Sequence, residues 1–147
     1  MYKHIFLDAN VIADVYDDTR PFHKESVQVI KSLSQDKKVK LFTSCDIITT
    51  LYYILSKQNK AKALDAILEI NTLCIVVEFG NAEVLKSCKL MKKNTLYKDL
   101  EDTIQYVMAQ KTSCELILSN DKGFISEDIL LMTSKEFLLK ETPCSQD

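Results

Sequence analysis

Short apolar runs alternate with amphipathic stretches along this chain, and no hairpin signal joins two runs until its end. Tyr2–Leu7 runs into Asp8-Ala9-Asn10, Leu41–Thr43 follows the basic Lys37-Lys38-Val39-Lys40, and Cys74–Val77 is continuous and β-branched. Leu116–Leu118 and Ile129–Met132 are two further runs. Between them, apolar residues recur at helical spacing: Val11, Ile12, Val15 and Tyr16, then Val27, Val29, Ile30 and Leu33, then Ile47, Ile48, Leu51, Tyr52, Ile54 and Leu55. Ala63, Leu64, Ile67, Leu68 and Ile70 form another such set. Strands that reach their successors through helices pack as a parallel sheet, because a tight turn can join only antiparallel neighbours. The expected fold is α/β: a three-layer α/β/α sandwich around a five-stranded parallel sheet.

Local signals place the helix starts. Thr19 reads as an N-cap ahead of Pro21, for a helix continuing to about Ser34, and Ser44 and Asn81 read as caps of later helices. Asp99 caps a helix from Leu100 to about Lys111, and Ser134 opens the last one. A single domain over residues 1–140 and a frayed tail over 141–147 are expected.

Composition then removes whole classes of chemistry. The two glycines, Gly80 and Gly123, are too far apart for a GxxxxGK[ST] loop or a GxGxxG turn. Two histidines, His4 and His23, cannot form a three-His zinc site, and the five cysteines contain no CxxC and read as reduced thiols. No run is long enough to span a bilayer, and the start lacks a secretory h-region, so a cytoplasmic protein is expected. Any metal must be held by carboxylates.

In parallel sheets function gathers beyond the carboxyl ends of the strands. That rule selects Asp8 after the first run, Ser119-Asn120-Asp121 after the fourth, and Asp99, Glu101 and Asp102 at the start of the helix between. Each has a plainer reading: an Asx turn at Asp8, a capping pair at Asp99 and Asp102, a turn at Asn120-Asp121-Lys122-Gly123. Their joint placement outweighs these readings. If the first and fourth strands are neighbours, three or more carboxylates converge, at a cost that a divalent cation such as Mg²⁺ or Mn²⁺ would relieve. Glu101, as the sequence neighbour of Asp102, is expected to point into solvent.

Four segments, Ile5–Val11, Ser44–Leu55, Lys98–Gln105 and Ile117–Phe124, resemble the successive motifs of the PIN domain, and in particular those of small bacterial PIN proteins related to the VapC toxins. The resemblance runs from residue 2 to about residue 140. It implies strand order 3-2-1-4-5, a metal-dependent endoribonuclease, usually a homodimer, and often the toxin of a toxin–antitoxin pair whose partner is a small antitoxin protein. Asp8, Asp102 and Asp121 match the family's metal-binding acids, Asn10 matches a polar residue supporting the first acid, and Asp99 matches an extra acid of this subgroup. Where many PIN nucleases carry a Glu, this chain has Thr50, and Asp46 lies one helical turn earlier on the same face. On this reading Asp8, Asp102 and Asp121 bind a first ion, and Asp99, with or without Asp46, steadies a second or orients the attacking water. Ser119 and Asn120 are accessory residues.

An RNA substrate needs a basic rim beside such a crevice. The segment 86–98 holds five lysines and no acid, and Lys92, Lys93 and Lys98 are the expected RNA contacts. Lys31, Lys37, Lys38 and Lys40 form a second cationic stretch, and Tyr97 is a candidate for stacking on a base. A net charge of −2 is therefore an average over unlike surfaces. The Thr50 departure leaves a second reading open: a PIN-like module that binds RNA or a protein without cutting.

Overall fold

The computed structural model describes residues 1–141, in the order β1 (His4–Leu7), α1 (Ala9–Tyr16), α2 (His23–Gln35), β2 (Lys40–Ser44), α3 (Cys45–Ser56), α4 (Lys60–Leu73), β3 (Cys74–Val77), α5 (Asn81–Lys93), α6 (Leu100–Lys111), β4 (Leu116–Leu118), β5 (Leu130–Met132) and α7 (Ser134–Glu141). The five strands form one sheet in the order β3-β2-β1-β4-β5. Every pairing is parallel, with Phe6 opposite Phe42 on one side and Ile117 on the other. This is the expected sandwich and strand order.

The strand period of two divides the core. Ile5, Leu7, Leu41, Leu116 and Leu118 face the layer of α1, α2, α3, α4 and α7, while Phe6, Phe42 and Ile117 face the layer of α5 and α6. Ile5–Leu7 of β1 and all of β4 are buried on both faces, which is why these stretches are continuously apolar. Helix α6 is buried without interruption from Thr103 to Ala109, so its amino terminus is held firmly over the end of β1.

Several local expectations change. Helix α2 starts at His23, and Thr19 does not cap it: its N–H and hydroxyl donate to Asp17 Oδ1 at 3.0 and 2.6 Å, closing a separate turn. Gly80, rather than Asn81, occupies the N-cap of α5, where Glu83 accepts the Gly80 N–H at 3.0 Å. Ser44 sits at the N-cap of α3 but makes no capping bond. Strand β5 begins at Leu130, one residue later than expected. Of the expected tail, Glu141 ends α7 and residues 142–147 lie outside the described residues. Among the described residues no helix is long and apolar enough to cross a membrane, and Cys45, Cys74, Cys88 and Cys114 are free thiols.

Candidate active site

Asp8 and Ser44 both have extended backbone, so each continues the alternation of its strand. With Leu7 facing the α1–α2 layer, the next side chain faces α6. Asp8 accordingly accepts from Ser119 Oγ at 2.6 Å and from the Gln105 side chain, with the Ala9 N–H as a further donor. Ser119 follows Leu118 by the same rule. Its Oγ also accepts the Asp121 N–H at 3.1 Å, so one hydroxyl ties the acid of β1 to the turn beyond β4. Asn10 accepts the Asn120 N–H at 3.1 Å and its amide lies 3.5 Å from Ser119 Oγ, bracing the same pair of loops.

Asp99 caps α6 by accepting the Asp102 N–H at 2.9 Å, so the plainer capping reading and the site reading hold together. Asp121 is fixed by a bond from the Gly123 N–H at 2.8 Å. A side chain at Gly123 would place its Cβ 3.3 Å from Asp121 Oδ1, so the glycine leaves room for the carboxylate.

The electrostatics record how closely these groups converge. Burial raises the Asp8 carboxyl, and the Asp121 charge raises it further against its hydrogen bonds. Burial, then Asp8, Asp99, Asp121 and Glu101, pushes Asp102 up to about 7. Carboxylates share such a space only when a proton or a cation offsets their repulsion. Glu101 is exposed, as expected, but it does not leave the cluster: partial desolvation, then Asp46, Asp8 and Asp99, raise its carboxyl.

Thr50 is exposed and its hydroxyl donates back to the Asp46 carbonyl at 3.3 Å, so it contributes nothing to the acids. Asp46 has one carboxylate oxygen buried without a partner, and the same holds for Ser44 Oγ and Gln105 Oε1. Buried polar atoms are rarely left unpaired, and these three are hard oxygens beside an acid cluster. Among the described residues no three His, Cys, Asp or Glu side chains lie close enough to ligate one ion directly. The donors the crevice does offer are carboxylate, hydroxyl and amide oxygens, the ligand type that hard divalent cations take.

Asn120 departs from its expected place. Alternation turns its side chain to the opposite layer, where its amide donates to Asp14 Oδ2 at 2.7 Å and lies 3.1 and 3.2 Å from the hydroxyls of Ser26 and Ser134. Tyr97 is 4% exposed and packs on Tyr106 with ring centroids 5.5 Å apart, so it cannot stack on a base. Lys92, Lys93 and Lys98 are exposed and make no ion pair among the described residues. Lys98 directly precedes Asp99 in the loop before α6. Lys37, Lys38 and Lys40 lead into β2, at the amino end of a parallel sheet, and so face away from the acids.

Sequence reading missed Gln105 and Asp14. Gln105 stands three residues after Asp102 on α6, a spacing that puts both on one face and was available as a signal. Asp14 had none, since its partners are Arg20 ahead of α2, Ser26 of α2 and Asn120 of the turn after β4.

A family model described as the PIN domain matches residues 5–128. The chain is 51% identical over 135 residues to "Ribonuclease VapC1" of Aquifex aeolicus, covering 92% of this chain and 93% of that protein. Among solved structures, VapC20 of Mycobacterium tuberculosis, described as a sarcin-ricin loop cleaving toxin, superposes with a TM-score of 0.68 at 15% identity over 82% of this chain and 92% of that one. VapBC2 of Rickettsia felis, bound to a fragment of promoter DNA, gives 0.67 at 12% identity over 88% and 98%. FitAcB of Neisseria gonorrhoeae gives 0.64 at 18% identity over 89% and 98%.

Proposed function

Because the chain belongs to the PIN domain family, we propose that it is a divalent-metal-dependent endoribonuclease and the toxin of a toxin–antitoxin pair. The observation that carries this reading is the convergence of Asp8, Asp99, Asp102 and Asp121, from three separate chain segments, on one crevice at the carboxyl end of the sheet.

Asp8, Asp102 and Asp121 would hold a Mg²⁺ or Mn²⁺ ion, partly through its waters, and Asp99, with or without Asp46, would steady a second ion or orient the attacking water. When bound, such an ion supplies a nucleophile at neutral pH and a counter-charge for the phosphate. The protein's own residues do the rest. Ser119 and Gln105 hold the Asp8 carboxylate in one orientation, the Gly123 N–H holds Asp121, and the helix of Asp102 is locked in the core. Lys92, Lys93 and Lys98 offer the RNA backbone a positive rim on the α5–α6 side.

An antitoxin partner is supported by the similarity to VapBC and FitAB assemblies. Tyr53, Leu64 and Leu68, each more than half exposed on α3 and α4, supply an apolar surface for a homodimer contact. Light-scattering mass measurement of the free protein tests the dimer.

The test of function is cleavage of a stem–loop RNA and an unstructured RNA by wild type and Asp8→Asn, in Mn²⁺ and in EDTA. The reading expects cleavage only by wild type with metal. Equal cleavage in all four conditions, or none in any, refutes it.

A further inference from the structure

The buried group that the reaction chemistry leaves unused is Asp14, on the opposite side of the sheet from the acids. It is 2% exposed, and its carboxylate is enclosed by partners from three other elements. Arg20 Nε donates to Oδ1 at 2.6 Å, and Asn120 Nδ2 and Ser26 Oγ lie 2.7 and 3.3 Å from Oδ2. Arg20 is the chain's single arginine, and its charge makes the burial of this carboxylate tolerable.

Asn120 is the point at which this network meets the active site. Its side-chain oxygen accepts the Ser134 N–H at 2.9 Å and its amide reaches Asp14, Ser26 and Ser134, while its backbone N–H donates to Asn10 at 3.1 Å. No freedom is left to rotate this residue. On one side of it in sequence is Ser119, which holds Asp8, and on the other is Asp121. The backbone direction at residue 120 therefore sets where both neighbours point. A polar residue bound this completely, between two residues aimed into the acid crevice, does more than satisfy buried groups.

Resting on the metal-dependent reading of the crevice, we infer that Asp14 is a positioning residue for the metal-binding acids, acting through Asn120 to aim Ser119 and Asp121. Arg20, Ser26 and Ser134 hold Asp14 and Asn120 in register. The network spans α1, α2, the β4–β5 connection and α7, so it ties three helices of one layer to the site edge on the other.

The test measures Mn²⁺ binding by calorimetry, together with kcat and KM for cleavage of a labelled stem–loop RNA. The variants are Asp14→Asn, Asn120→Ala and the exchange Asp14→Asn/Asn120→Asp, which reverses the donor and acceptor of the bond. Val29→Ala, a cavity in the same layer one turn from Ser26 that removes none of the network's hydrogen bonds, serves as the control for lost packing alone. Loss of such supporting hydrogen bonds lowers metal affinity by about 10- to 100-fold. That loss is expected in the two single variants, with kcat reduced, KM for RNA unchanged, partial recovery in the exchange and wild-type affinity in Val29→Ala. Wild-type Mn²⁺ affinity in folded Asp14→Asn and Asn120→Ala overturns the inference, as does a loss that Val29→Ala reproduces. If the single variants do not fold, a folded exchange variant decides: recovered Mn²⁺ affinity supports the link and absent affinity overturns it. Failure of wild type itself to bind Mn²⁺ or cleave refutes the metal-dependent reading instead, a result distinct from either.

Discussion

Metal affinity should depend on pH through Asp102. Its carboxyl stands at about 7, against an ordinary value of 3.8, because it is partly buried among Asp8, Asp99, Asp121 and Glu101. A cation binds the ionised form, so binding must expel whatever proton Asp102 carries. With the carboxyl at about 7, it is about nine-tenths protonated at pH 6 and about one-tenth at pH 8. Apparent Mn²⁺ affinity should thus rise about tenfold between these two values, or ~1.4 kcal/mol. The free protein should show the converse. Its folded state holds a proton on Asp102 that the unfolded chain has lost, so the contribution to stability is full below about pH 4 and fades as pH rises through about 7. Titration calorimetry of chelator-stripped protein in buffers of different ionisation enthalpy reads both the affinity and the protons released. Asp102→Asn should bind more weakly and lose most of the pH dependence. Affinity flat between pH 6 and 8, or a slope unchanged in Asp102→Asn, would refute this account of the cluster.

Other perturbations follow from single contacts. Ser119→Ala removes the 2.6 Å bond to a buried carboxylate, so chemical denaturation should show a loss of ~1.5–3 kcal/mol at pH 8, accompanied by weaker Mn²⁺ binding. Gly123→Ala places a methyl against Asp121 Oδ1, and cleavage should fall while the melting temperature changes little. Thr50→Glu should tighten Mn²⁺ binding, since Thr50 now bonds only its own helix; unchanged affinity would show that this position does not face the ion. Glu101→Gln should weaken Mn²⁺ binding and lower the Asp102 carboxyl, both measurable by calorimetry and NMR titration.

The alternation of apolar runs and helical periods was sufficient to indicate a parallel sheet, because strands buried on both faces must be continuously apolar and joined by helices. It also indicated which end carries the acids, since Asp8 and Asp121 follow their strands directly. Local caps were less legible. Thr19 and Asn81 have the right chemistry for N-caps, but Asp17 captures the first and the backbone places Gly80 ahead of the second. Tyr97 illustrates the same limit: nothing in its neighbourhood of lysines indicated that Tyr106 would enclose it.

What the sequence alone determined is the identity of the acids and the order in which the fold delivers them, because both rest on short-range signals: strand ends, a helix cap and residue type. What only the tertiary structure decided is how those acids are held. Alternation along β4 sends Ser119 to Asp8 and Asn120 to Asp14, a division that depends on which face of the sheet each helix covers. Asp46 acts on Glu101 from a different helix, and Asp14 gathers Arg20, Ser26 and the far-off Asn120 around one carboxylate. Such partnerships are set by packing across the sheet, and packing has no period that a linear sequence displays.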